Sequence, residues 1–173
     1  MKRLLLATAL SLLTATSAAA QMVYVVRHAE KADASSDPVL SAAGVERAQA
    51  LSAALADAHP DLILVSPLQR TALTAAPTAD HHGVGPVAVP FDGGVEGQVA
   101  ATVARVRAQP SDAVVLIVGH SNTVPLIARA LGYAEAADMP ECEFDRMTVL
   151  HLMGEGAHGQ VSRYGAAAHC VTE

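Results

Sequence analysis

Val114-Val115-Leu116-Ile117-Val118-Gly119-His120-Ser121-Asn122 is an aliphatic run that stops on a glycine and three polar residues. Its length and β-branched content suit a strand buried on both faces, as strands of parallel sheets are. A helical pattern follows over Leu126–Leu131, with Gly132 as its stop. Upstream, Met22–Val26, Leu62–Val65 and Val87–Val89 repeat the strand signal. Helical spacing fills the gaps between them. Val45, Ala48, Leu51 and Leu55 recur before Pro60, Thr71–Ala76 ends at Pro77, and Val99, Val103 and Val106 precede Pro110. Downstream, Met147–Leu152 and Gln160–Tyr164 flank Gly154-Glu155-Gly156 and read as a hairpin. This alternation predicts a three-layer α/β/α sandwich around a mostly parallel sheet.

The 173 residues suit one such domain. Half of them are hydrophobic (51%), which excludes a disordered chain, and twelve glycines with nine prolines exclude a coiled coil. A net charge of −6 argues against a general nucleic-acid binder, which needs a basic surface. At the start, Lys2 and Arg3 precede the apolar run Leu4–Leu13, and Ala18-Ala19-Ala20 precede Gln21. That is the layout of a secretory leader, residues 1–20, cleaved near Ala20 to leave a single domain over 21–173. That run of ten residues is about half of what spans a bilayer, and no later run is longer. Losing Lys2 and Arg3 leaves nine basic against seventeen acidic residues, a net −8 for a periplasmic or secreted chain. In an oxidising compartment Cys142 and Cys170 are candidates for a disulfide; the alternative is two cysteines packed as small apolar side chains.

Ligands of open α/β sheets sit beyond the carboxyl ends of the strands. The polar residues that follow the predicted strands are Arg27-His28, Ser66 with Arg70, Phe91-Asp92 and Gly119-His120-Ser121-Asn122. Two arginines and a helix start favour a compact dianion such as a phosphoryl group. Of two histidines beside it, one can attack phosphorus as neutral imidazole, and the other can hold the equatorial oxygens as imidazolium. A carboxyl group could protonate the leaving oxygen. Each element alone has a plainer reading: an arginine-histidine pair at the surface, a solvated helix arginine, a serine that caps a turn. Their convergence on one rim is what points to catalysis.

Four segments also resemble the histidine phosphatase superfamily, which includes the phosphoglycerate mutases. Val25-Val26-Arg27-His28-Ala29-Glu30 is similar to its Arg-His-Gly signature, with Ala29 in the usual glycine place. Leu40-Ser41-Ala42-Ala43-Gly44 resembles the segment that opens its first helix. Ser66-Pro67-Leu68-Gln69-Arg70-Thr71 and Val118-Gly119-His120-Ser121-Asn122-Thr123 resemble two further motifs, in the same order. The resemblance implies a phosphoglycerate mutase-like fold and a metal-independent phosphomonoesterase. It makes His28 the nucleophile, with Arg27, Arg70 and His120 in the phosphate pocket. The family's proton-donor glutamate follows the third strand. Asp92 is the nearest counterpart here, with Glu96 four residues on as the alternative.

Glu30, Asn122 and Asp145 are further pocket candidates, each with a plainer reading as a solvated charge, a helix start or a surface pair. His81-His82 reads as loop surface rather than a metal pair, because adjacent side chains diverge and no third ligand has a matching spacing. No metal or cofactor is expected. The expected partner is a small phosphorylated substrate or a phosphoprotein, with neither nucleic acid nor a membrane span in the mature chain. The competing functions are a non-catalytic phosphate binder on the same fold and a phosphomutase. Nothing in the sequence selects a substrate or an oligomeric state.

Overall fold

The computed structural model describes residues 20–168 and 170. Apart from Ala20, the expected leader lies outside the described residues. A six-stranded sheet runs in the order β3-β2-β4-β1-β5-β6. Its strands are β1 (Gln21–Arg27), β2 (Leu62–Val65), β3 (Pro86–Ala88), β4 (Val114–Gly119), β5 (Arg146–Met153) and β6 (Gly156–Arg163). The first four are mutually parallel; β5 runs antiparallel to β1, and β6 to β5. The helices are α1 (Ala42–Ala54), α2 (Gln69–His82), α3 (Gly94–Arg107) and α4 (Val124–Ala130).

The sheet separates two apolar cores. Leu51 and Leu55 at the end of α1, with Ala75 and Ala79 of α2, pack with Val26, Ile63 and Val118 on one face. Val99 and Val106 of α3, with Val124 and Ile127 of α4, pack with Val25, Leu64 and Ile117 on the other. Adjacent residues of a strand thus enter opposite layers, which is why β1, β2 and β4 read as unbroken apolar runs. β3 is an edge strand, begins with a proline and is exposed along its length.

The structure corrects the sequence reading at Pro77. The helix does not end there but continues to His82 and is closed by left-handed Gly83 (φ 69°). An interior proline deletes one backbone hydrogen bond. Here burial of Thr74, Ala75, Thr78 and Ala79 on α2 holds the helix together across that gap. Ser52 of α1 also donates to the Pro77 carbonyl (3.1 Å). His81 and His82 therefore lie on the last turn of a helix, not in a loop. β6 likewise starts four residues earlier than its apolar content suggested, because the hairpin ladder with β5 runs back to the Met153–Gly156 pair.

Cys142 and Cys170 are joined as a disulfide, with Cα atoms 5.2 Å apart. The bridge fastens the loop before β5 to the segment that follows β6.

Candidate active site

Because β1–β4 are parallel, their carboxyl ends share one edge of the sheet, and the polar residues after β1, β2 and β4 meet there. Arg27 is the last residue of β1. The next backbone N–H, of His28, donates to the Gly119 carbonyl at the end of β4 (2.9 Å). The Ala29 N–H donates to Thr74 Oγ1 (2.9 Å), and that hydroxyl donates to the Arg70 carbonyl (2.7 Å). Thr71 Oγ1 in turn donates to the carbonyls of Ser66 and Leu68. Thr74 thus ties α2, with Arg70 in its first turn, to the loop that carries His28, and Thr71 ties the start of α2 to the turn after β2. Two glycines permit close approach: a Cβ on Gly44 would stand 2.3 Å from the Glu30 carbonyl, and one on Gly119 would stand 2.9 Å from Thr123 Oγ1. Ala29 is fully buried beside Leu40 and Ala48, so its methyl has a packing place.

Arg27, His28, Arg70, His120 and Asn122 line one cleft of about 460 Å³. The rings of His28 and His120 stand edge to face, 5.3 Å apart. His28 Nδ1 lies 2.8 Å from the Ala29 carbonyl, which can only accept, so Nδ1 carries the proton. The Nε2 lone pair is then free. His120 differs, since its Nε2 is engaged by Ser66 Oγ (2.9 Å). Burial, with Arg27, Arg70 and Lys31 nearby, lowers the His28 pKa to about 4. Burial, with His28 and both arginines, lowers that of His120 to about 3. Both imidazoles are therefore neutral at pH 7 in the ligand-free site.

The cations are held ready for an anion. Arg27 is buried, and its Nη1 donates to the carbonyls of Pro140 (3.2 Å) and Glu141 (2.6 Å). Its Nη2 donates to Glu141 Oε2 (2.6 Å), and its guanidinium lies over the Phe144 ring at 4.1 Å. Arg70 touches the Ser36 carbonyl and stands 3.8 Å from Asp37. The Nε atoms of both arginines are buried and have no partner among the described residues. An unpartnered buried N–H costs free energy, and a bound oxyanion would remove that cost.

The remaining sequence candidates fall elsewhere. Glu30 turns away from the cleft into a bidentate pair with Arg47 (Nη2 to Oε1, 2.7 Å). Asp145 is buried, pairs with Arg163 (2.6 Å) and accepts from the Ala168 N–H. Asp92 and Glu96 are both exposed and do not line the cleft, whereas their neighbours Phe91 and Val95 do. Gly93 and Gly94, both at positive φ, turn the chain there. The carboxylate that does line the cleft is Glu141, which sequence reasoning missed. It lies in an irregular loop before β5, where neither periodicity nor a strand end marks it. A hydrogen bond from Ser121, and Arg27 beside it, hold its carboxyl below the usual range, so it is ionised. Among the described residues no group of three or more His, Cys, Asp and Glu side chains is placed to hold a metal ion.

The sequence model of the histidine phosphatase superfamily (branch 1) matches residues 23–90, which contain the first three of the four motifs. No curated protein sequence matches the chain. Among solved structures, the alpha-ribazole phosphatase from Shigella flexneri superposes with a TM-score of 0.63 at 18% identity, covering 88% of this chain and 100% of that one. A putative phosphohistidine phosphatase SixA from Nakamurella multipartitia gives 0.58 at 24% identity, covering 86% and 96%. A mycobacterial glucosyl-3-phosphoglycerate phosphatase gives 0.60 at 17% identity, covering 85% and 99%. At these identities the likeness is one of fold, and it extends over nearly the whole of each chain.

Proposed function

We propose that this member of the histidine phosphatase superfamily is an exported phosphomonoesterase that works through a phosphohistidine on His28. The observation that carries the reading is the state of His28. Its Nδ1–H is spent on the Ala29 carbonyl, and its Nε2 is free beside two arginines with unpartnered Nε atoms. Arg27, Arg70 and His120 hold the phosphoryl oxygens. The Nε2 lone pair attacks phosphorus, the P–O ester bond breaks, and the ester oxygen leaves with the bonding pair and takes its proton from solvent. Water then attacks the phosphohistidine, the P–N bond breaks, and inorganic phosphate departs with His28 neutral again. Exposed Lys31, Phe91, Asn122 and Glu141 form the rim, so water reaches the intermediate, which favours hydrolysis over transfer to a second substrate. The three phosphatases above act on three different compounds by their names, so the fold itself selects no substrate.

Acid-sensitive label on His28 after a short pulse of labelled ester is the direct test. The pH profile adds a second. Attack requires neutral imidazole, and the lowered His28 pKa keeps that form dominant down to about pH 4. Once kcat/KM is corrected for the ester's own ionisation near pH 6, the acid limb should therefore fall near pH 4 rather than at an unperturbed histidine value. Phosphate binding without any label on His28 would favour the non-catalytic anion binder instead.

Export is supported by the leader-like start and by the bridge. The expected cut falls at the first residue of β1, whose Gln21 carboxamide donates to the carbonyls of Val106 and Pro110. The strand thus keeps its anchor after cleavage. No described helix is long and apolar enough to cross a membrane. Protein recovered from a Gram-negative periplasm should begin at Gln21 and show no free thiol. Reduction should lower its stability by about 3–4 kcal/mol, the chain-entropy value for a loop of this length. An uncut leader, two titratable thiols or an unchanged denaturation midpoint would count against these points.

A further inference from the structure

The five residues 140–144 supply nearly everything that touches the Arg27 guanidinium. Carbonyls of Pro140 and Glu141 take the Nη1 protons, the Glu141 carboxylate takes one Nη2 proton, and Phe144 covers one face. In a guanidinium, Nη1 and Nη2 share one edge, while Nη2 and Nε share the next. Glu141 therefore occupies the first edge with its main chain and side chain together, 2.6 Å from each nitrogen. The second edge holds the Nε proton, buried and without a partner among the described residues, beside the Nη2 proton that Glu141 does not take. That edge has the spacing of a bidentate fork for an oxyanion. The other Glu141 oxygen accepts from the Ser121 hydroxyl, in the segment that also carries His120. Glu141 thus ties the strand-end arginine of β1 to the loop after β4. Its side chain is 80% exposed, so neither burial nor core packing accounts for its place. Cys142 is the next residue, and its bridge to Cys170 holds this segment to the far end of the chain.

We propose that Glu141 is a positioning residue of the phosphate pocket, fixing Arg27 so that its Nε–Nη2 edge faces the phosphoryl oxygens. This rests on the reading of Arg27 as a phosphate ligand. Two variants separate geometry from charge. Glu141→Gln keeps an oxygen that accepts from Nη2 and removes the negative charge; Glu141→Ala removes both. Isotope-labelled protein gives a readout that does not depend on turnover: the Arg27 Nε–H signal, assigned by its loss in Arg27→Lys. That signal should be sharp in the wild type and in Glu141→Gln, and broadened in Glu141→Ala. Inorganic phosphate titration should show Glu141→Ala binding about tenfold more weakly, the scale of one hydrogen bond to a charged group, with Glu141→Gln unweakened. The kinetic loss for Glu141→Ala should fall on kcat as well as KM. Tighter phosphate binding by both variants would make Glu141 a competing anion and overturn the proposal. Equal losses in both would show that the charge itself is used, which also overturns it. An unchanged Nε–H signal in Glu141→Ala would do the same. If the wild type binds no phosphate, the functional reading fails, and the Nε–H signal still decides whether Glu141 fixes Arg27.

Discussion

His28→Ala is expected to abolish phosphate release from every ester tested, with losses of roughly 10³–10⁶-fold, the scale on which deletion of an enzymic nucleophile is read. The reason lies in which nitrogen is free. His28 and His120 face each other 5.3 Å apart, and both are neutral at pH 7. Only His28 has its Nδ1 fixed by a carbonyl and its Nε2 unengaged, because Ser66 holds the His120 Nε2. His120→Ala should therefore weaken phosphate binding and slow turnover while His28 still becomes labelled. His28→Ala should still bind phosphate, because Arg27, Arg70 and His120 remain. Single-turnover quench experiments with both variants read these differences. Label on His120, or near-normal turnover by His28→Ala, would refute the assignment.

Much of this site was legible because its supports are regular. β1, β2 and β4 are buried on both faces, so each shows as a continuous aliphatic run, and the residue after each run is fixed at the edge of the sheet. Arg27, His28, Ser66 and His120 follow from that rule, and Arg70 is legible instead as a residue in the first turn of the helix that comes after β2. The rule fails where the chain leaves the strand by more than a residue or two. After β3 it chose Asp92, but Gly93 and Gly94 turn the backbone, and it is Phe91 and Val95 that line the cleft. Glu141 and Phe144 lie in a loop between α4 and β5, where tertiary contacts bring them to the site: hydrogen bonds from Arg27 and Ser121 to Glu141, and the Phe144 ring against the Arg27 guanidinium. Pro77 failed for the opposite reason: the local rule is sound for an isolated helix, and packing of α2 on the sheet overrode it. The disulfide stood as an expectation only through the leader, since two cysteines carry no geometry of their own.

The place of Asp92 decides which esters the protein should cleave. An alkoxide is too basic to depart unprotonated at neutral pH, whereas p-nitrophenolate leaves with little help. Neither Asp92 nor Glu96 lines the cleft, and both are exposed to solvent. Glu141 does line it, but Ser121 and Arg27 keep it ionised, which is the wrong state for giving up a proton. Phe91 and Val95, both partly exposed, give the mouth of the cleft an apolar wall instead. The expected result is a marked preference for weakly basic, flat leaving groups. Aryl phosphates should be turned over about 10²–10⁴-fold faster than alkyl phosphates of similar size, the span that a general acid would otherwise supply. Across a series of substituted phenyl phosphates, log kcat/KM should fall steeply as the phenol becomes more basic. Asp92→Asn and Glu96→Gln should leave both ends of that series unchanged. A selective loss of alkyl-ester turnover in Asp92→Asn would return Asp92 to the role of proton donor, reached by movement of its loop. A flat dependence on leaving-group basicity would mean that some other group delivers the proton, and Glu141→Gln is then the next variant to place in the same series.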